Sequence, residues 1–170
     1  DNLFSSFGLP PFGQCEGVKR RQEILVQRDG LVVLSDFAHH PTAIAGALIS
    51  LRARWPEHRV VACFEPRSNT AVTNVFQDEF TAALAEADEV LLGEINRADR
   101  FAPEERLDVE AMIRSLRDQG SEAVAYSTNQ ALGDALLTRE FSAETSTLLV
   151  FFSNGSFGGV IGQVAEEFGP

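Results

Sequence analysis

Two adjacent histidines, His39 and His40, stand in "DFAHHP" between an apolar run that ends at Asp36 and a helix-like run that opens at Pro41. Imidazoles titrate near neutrality, so such a pair can move protons or donate to anions. At the start of a helix they join backbone N–H groups and the positive end of the helix dipole, which favours a phosphate or a carboxylate as the ligand. Metal ligation is disfavoured, because adjacent side chains in an extended turn point apart and no Asp, Glu, His or Cys set at ligand spacing accompanies them. Histidines packed or exposed without a ligand remain open. Asp36 can accept from ribose hydroxyls or can cap the turn at Pro41, and both readings stand.

A second cluster is "FEPRSNT", in which Pro66 holds the chain extended and Arg67, Ser68, Asn69 and Thr70 offer donors ahead of a helix. A guanidinium there suits a carboxylate or phosphate bidentately; the alternative is a Ser/Asn/Thr cap beside a surface arginine. The third cluster, "SNGSFGG", carries Gly155, Gly158 and Gly159. It follows the last strand, whereas the dinucleotide fingerprint follows the first, so it is not read as one. As a tight loop it can bring backbone N–H groups and Ser153, Asn154 and Ser156 to a ligand. No Ser-His-acid order and no G-x-S-x-G are present. Lys19 is the only lysine, and a phosphate-gripping G-x-x-x-x-G-K-[ST] loop is absent from the chain.

The elements that must position these clusters alternate. "RQEILVQRDGLVVLSDF" gives two β-rich runs around Asp29-Gly30, a hairpin signal. "PTAIAGALISLRARW" opens with proline at a helix N1 position. Strand "RVVACFE", helix "TNVFQDEFTAALAEA", strand "DEVLLGEI", polar loop "NRADRFAPEER" and helix "LDVEAMIRSLRDQG" follow, the last with Gly120 as its C′ residue. Strand "EAVAYS", helix "NQALGDALLTRE", strand "STLLVFF" and closing helix "VIGQVAEEF" complete the series. Near-continuous apolar strands alternating with helices predict an α/β, Rossmann-like three-layer domain, with about six strands, mostly parallel, and one antiparallel hairpin strand. In such sheets ligands bind beyond the carboxyl ends of the strands. That rule selects 36–41, 65–70, 93–106, 127–130 and 153–159, where every unusual polar cluster falls. The connectors "RWPEHR" and "RDQGSE", on the opposite edge, read as plain solvated turns. The loop 94–106 reads equally as a substrate-side loop or as a solvated charged one.

A chain of 170 residues holds one domain, and 44 % apolar content is ordinary for a globular protein. A formal charge of −11 argues against nucleic acid or an anionic membrane as partner. Cys15 and Cys63 belong to no C-x-x-C pair and read as thiols in a reducing compartment rather than as a disulfide. No apolar run reaches the roughly 18–20 residues that span a bilayer, so the expected compartment is the cytoplasm. Residues 1–16, rich in Gly, Pro and Phe without periodicity, read as an irregular lead-in or linker. The chain opens at Asp1 without methionine, as an excised piece of something longer would.

In order, "GVKRR…DFAHHPTAI…FEPRSNT…SNGSFGG" resembles the C-terminal domain of the Mur ligases, the ATP-dependent amide-forming enzymes of peptidoglycan assembly, over residues 17 to about 168, which implies that residues 17–170 form that domain. "DFAHHPTAI" is similar to the form found in members that add L-alanine to UDP-N-acetylmuramate. "EPRSNT" and "SNGSFGG" are similar to members that add L-alanyl-γ-D-glutamyl-meso-diaminopimelate in peptidoglycan recycling, although Ser156 stands where another glycine is expected. The resemblance implies a third domain that closes over an N-terminal UDP-sugar domain and a central P-loop domain, both absent from this chain, which accounts for the missing P-loop lysine. It implies ATP, with Mg²⁺ held mainly by the absent central domain, and UDP-N-acetylmuramate and the tripeptide as substrates. Under it, Arg21 contacts the nucleotide near its phosphates and Asp36 binds the ribose. His39 and His40 sit by the nucleotide and the reacting centre, Arg67, Ser68 and Asn69 bind the incoming peptide, and Ser153, Asn154 and their loop close that pocket. The isolated domain is then expected to be inactive. The alternatives are the L-alanine-adding ligase and a non-catalytic nucleotide- or anion-binding module.

Overall fold

The computed structural model describes residues 21–169. Among the described residues six strands form one sheet: β1 (Glu23–Arg28), β2 (Leu31–Asp36), β3 (Arg59–Phe64), β4 (Glu89–Leu92), β5 (Glu122–Ala125) and β6 (Thr147–Phe152). Their order across the sheet is β1-β2-β6-β3-β4-β5. Only β1 runs antiparallel, joined to β2 by the expected hairpin. Gly30 in that turn has φ +78°, and a Cβ there would meet the backbone of Ser142 at 2.4 Å, so no other residue fits without displacement. The expected α/β sheet with one antiparallel strand is therefore the one observed.

Period-two alternation along each buried strand divides the core in two. Leu148, Val150 and Phe152 of β6, with Val60, Ala62 and Phe64 of β3, face α1 (Pro41–Arg54), α2 (Gln77–Leu84) and α3 (Val109–Asp118). Leu149 and Phe151, with Val61 and Cys63, face α4 (Asn129–Leu137) and α5 (Val160–Phe168). Each helix reaches the sheet with a stripe at helical spacing: in α1, Ile44, Ala47, Leu48 and Leu51 are buried. Phe64 stacks on Phe80 with ring centroids 5.2 Å apart, tying α2 to the sheet centre.

The layer assignment decides where a ligand can enter. The chain leaves β2, β3 and β4 toward the α1–α3 face, crosses from β5 through α4 on the other face, and returns to insert β6 between β2 and β3. The loop after β6 thus departs to the opposite face from the loops after its two neighbours. That reversal opens a crevice at the carboxyl edge, beside β6. Strand β5 is less buried than an apolar run suggests, with Val124 39 % exposed, because it is the outer strand next to β4. Helix α3 ends as read, with Gly120 at φ +96°. Cys63 is free and buried; Cys15 and the lead-in 1–16 lie outside the described residues. No helix among the described residues is long and apolar enough to cross a membrane.

Candidate functional site

The parallel ladder continues one residue past the strands at the centre of the sheet. The Ser153 N–H donates to the Asp36 carbonyl (3.1 Å), and the Glu65 N–H donates to the Phe152 carbonyl (3.1 Å). Asp36, Ser153 and Glu65 therefore stand side by side at the ends of β2, β6 and β3. With strands about 4.8 Å apart, the backbones of Asp36 and Glu65 lie on the order of 10 Å from one another.

On the β2 side, a cleft of about 570 Å³ is lined by Arg21, Asp36, Phe37, His39, His40 and the small face of α1 at Ala43, Gly46 and Ala47. The small residues of α1 leave this volume open, since a Cβ on Gly46 would meet nothing within 4 Å. Asp36 is buried, and both carboxyl oxygens accept backbone N–H groups, from Ala38 at 2.7 Å and from Gln22 at 3.2 Å. Its carboxyl thus holds the turn after β2 against the chain entering β1. The two histidines diverge, as adjacent residues in an extended turn should. His39 Nδ1 lies 2.9 Å from the Phe37 carbonyl and its ring meets Phe37 edge-on. His40 is the N-cap residue of α1, with its exposed ring edge-on to Phe76. The first turn of α1 carries no acidic residue, and no side chain caps it. The donors of this cleft, its helix terminus and Arg21 suit an anion.

On the β3–β6 side the organising residue is Glu65, 1 % exposed. Its Oε1 accepts from Asn129 Nδ2 (2.8 Å) and from Arg67 Nη1 (3.1 Å), and its Oε2 accepts from the Ser153 hydroxyl. The network extends outward, because Asn129 Oδ1 accepts the Glu94 N–H (2.9 Å) and Ser153 Oγ accepts the Gly155 N–H (2.8 Å). Loops following β3, β4 and β6 and the first residue of α4 are thereby bound to one carboxyl group. Asn154 lies half-buried in the loop that Ser153 opens.

The three residues expected to act together in "EPRSNT" are separated by the fold. Arg67 turns to Glu65 and to Gly155. Ser68 closes a local turn, its Oγ accepting the Ala71 N–H (3.2 Å) beside Thr70 Oγ1 (3.1 Å). Asn69 is exposed and lines a different cleft of about 420 Å³ with Thr73, Val75, Phe101 and Glu105. Six residues, the last three of them the 3-10 turn Asn74–Phe76, intervene between Thr70 and α2, so the donors do not cap that helix. The open question of loop 94–106 is answered in part by its packing. The Asn96 N–H donates to the Pro66 carbonyl (2.9 Å), and Asn74 Nδ2 donates to the Glu104 carbonyl (2.8 Å), so the loop lies against segment 66–76.

Glu65 and Asn129 were not singled out by residue type. The available signal was an acid closing the buried run "RVVACF". Among the described residues, no group of three or more Asp, Glu, His or Cys residues is placed to hold a metal ion. The opposite edge of the sheet carries its own acid–base cluster. There burial works against ionisation of Glu89, but the Arg139 fork (Nη1 3.0 Å, Nη2 2.5 Å) and Arg59 outweigh it and hold the carboxyl below its usual range. Burial pushes the Cys63 thiol far above its ordinary value.

The family description "Mur ligase, glutamate ligase domain" matches residues 20–155. The UDP-N-acetylmuramate–L-alanine ligase of Endomicrobium trichonymphae is 31 % identical over 129 residues, 72 % of this chain and 28 % of that protein. The crystal structure of a murein peptide ligase from Psychrobacter arcticus is similar with a TM-score of 0.72 at 25 % identity, covering 91 % of this chain and 31 % of that one. A solved domain of a putative UDP-N-acetylmuramate:L-alanyl-γ-D-glutamyl-meso-diaminopimelate ligase from Haemophilus ducreyi shares the fold with a TM-score of 0.64 at 23 % identity, covering 87 % of this chain and 99 % of that one. The chain spans less than a third of the length of the curated relatives it matches. With the family description covering most of its length, this chain belongs to the Mur ligase family, in its glutamate ligase domain.

Proposed function

We propose that residues 17–170 form the third domain of a cytoplasmic ATP-dependent ligase that joins L-alanyl-γ-D-glutamyl-meso-diaminopimelate to UDP-N-acetylmuramate, in peptidoglycan recycling. The observation that carries this reading is the pairing of two dissimilar sites about one strand. An anion-type cleft with Arg21, His39 and His40 lies at the end of β2, and an arginine set by a buried acid lies between β3 and β6. Amide formation driven by ATP needs that pairing. The acid substrate's carboxylate attacks the γ-phosphorus and ADP leaves; the amine nitrogen then attacks the acyl carbon and phosphate leaves. On this reading the β2 cleft faces the nucleotide phosphates and Arg67 receives a carboxylate of the incoming peptide. Among the described residues, Arg67 Nε and Nη2 donate to no protein acceptor, which leaves the outer part of the fork for a bidentate partner. Magnesium has no fitting set of ligands among the described residues, so its ligands are assigned to a domain outside this chain, as is the P-loop.

The work of such a domain is positional. Holding amine and acyl phosphate in line supplies on the order of 7–11 kcal/mol through effective molarity. Fixed donors in a site closed to water stabilise the developing charge. A second reading, addition of L-alanine, is favoured by the names of curated relatives: those of Endomicrobium trichonymphae, Desulforapulum autotrophicum and Geobacter sulfurreducens, 31 %, 34 % and 33 % identical, all carry it.

The test uses the multidomain ligase that contains this chain, with UDP-N-acetylmuramate and Mg-ATP, following phosphate release with the tripeptide or with L-alanine. The expected result is turnover with the tripeptide and none from the 170-residue chain alone. Turnover with L-alanine only moves the protein to the second reading. Silence with both amines leaves a nucleotide- or anion-binding module.

A further inference from the structure

We propose that Glu65 is the positioning residue of the peptide pocket, acting on substrate through Arg67 rather than touching it. This rests on the reading of Arg67 given above and adds to it the group that fixes where the guanidinium stands. Glu65 is 1 % exposed, which puts it out of reach of a ligand in the crevice. A carboxyl group so placed must have its oxygens satisfied internally. The three side chains that satisfy it come from separate parts of the chain: Arg67 two residues on, Asn129 sixty-four residues on and Ser153 eighty-eight residues on. Asn129 and Ser153 are themselves locked, through the Glu94 and Gly155 N–H groups. They leave Glu65 little rotational freedom. Arg67 is the one member that extends outward, with a third of its side chain exposed, and its stem runs beside Gly155. Charge enters the pocket as an arginine held from behind by an acid that two neutral side chains keep in place. A flexible side chain aimed by a rigid one loses less freedom when it binds.

The same geometry gives Glu65 a second effect. Because its Oε2 accepts from Ser153, the loop that opens with Ser153 and the loop that carries Arg67 are set relative to one another by one carboxyl group. The spacing of those two loops follows from that group.

The test is a double-mutant cycle in the multidomain ligase, with the tripeptide as varied substrate and L-alanine assayed in parallel. Glu65→Gln keeps the length and shape of the side chain while removing the charged partner of Arg67. The expected result is a rise of roughly tenfold in KM for the tripeptide, the size of a lost charge-assisted hydrogen bond, with KM for ATP unchanged. In an Arg67→Ala background, Glu65→Gln should add nothing to the KM for the tripeptide. Ser153→Ala, which removes one anchor of Glu65 without touching Arg67, should show the same silence in that background and keeps the test intact if Glu65→Gln does not fold. Additive effects with Arg67→Ala overturn the positioning role while leaving Arg67 as the peptide contact. An equal rise in KM for ATP overturns it as well, since that marks a general structural loss. No effect of Arg67→Ala on either amine overturns both this proposal and the reading on which it rests.

Discussion

At the residue scale, the chemistry of the carboxyl edge depends on how closely the loop after β6 approaches Arg67. A Cβ on Gly155 would lie 2.6 Å from Arg67 Nε and 2.8 Å from its Cδ and Cζ. Gly155→Ala should therefore push the guanidinium off Glu65 and raise the KM for the tripeptide about tenfold, while the melting temperature of the domain changes little. Steady-state kinetics and thermal melts of the variant check this; an unchanged KM would mean that the Arg67 stem is not fixed where the loop passes. Arg67 and Ser153 could be found by type, since an arginine and a serine in glycine- and proline-bounded loops at strand ends already suggest anion contacts. Glu65 could not. Its role comes from partners 64 and 88 residues away, and only the strand order brings those together. Ser68 and Asn69 illustrate the converse: their types suggested donors to a ligand, but local turn bonding and the direction of the chain take them elsewhere.

At the scale of elements, the helices and strands were legible because hydrophobic period and capping agree. Pro41 opens α1, Gly120 follows α3, and Asp29-Gly30 turns β1 into β2. What periodicity could not supply was the order β1-β2-β6-β3-β4-β5, and with it the exposure of Val124 on the outer strand. The start of β4 gathers ion pairs. Glu89, at its first residue, is buried between Arg139 and Arg59, and Asp88 accepts the Val60 N–H at 2.7 Å while pairing with Arg52. Burial works against both carboxyls, but these partners hold each below its ordinary value, 4.5 for Glu89 and 3.8 for Asp88. A group depressed on folding contributes its stability in full above the ordinary value and loses it as pH falls through the folded one. Acidification below about pH 4.5 should thus destabilise the domain. Glu89→Gln should lower stability at neutral pH by about 2 kcal/mol, on the order of 5 °C in Tm. It should also flatten the fall of Tm between about pH 5 and pH 3, leaving the share of Asp88. Thermal melts of wild type and variant across that range check the sign; an equally steep fall in the variant would place the acid sensitivity elsewhere.

At the scale of the whole molecule, the chain belongs to a family and matches less than a third of the length of the curated members it resembles, and its lack of a P-loop fits the third-domain role proposed for it. The family could be read from motifs in order, because "DFAHHPTAI", "FEPRSNT" and "SNGSFGG" each follow a strand and the sheet gathers the carboxyl ends of its parallel strands on one edge. The amine could not be read as firmly, since the β2 motif and the β3 and β6 motifs resemble different members. On the proposed reading the two sides of that edge serve different ligands, the nucleotide at the end of β2 and the amine between β3 and β6. The most direct test is a paired measurement in the multidomain ligase of KM for ATP and KM for the tripeptide, for His40→Ala and Arg67→Ala. The expected pattern is crossed, with His40→Ala raising chiefly the KM for ATP and Arg67→Ala chiefly that for the tripeptide, each about tenfold. Both variants raising the same constant, or each raising both equally, would contradict it.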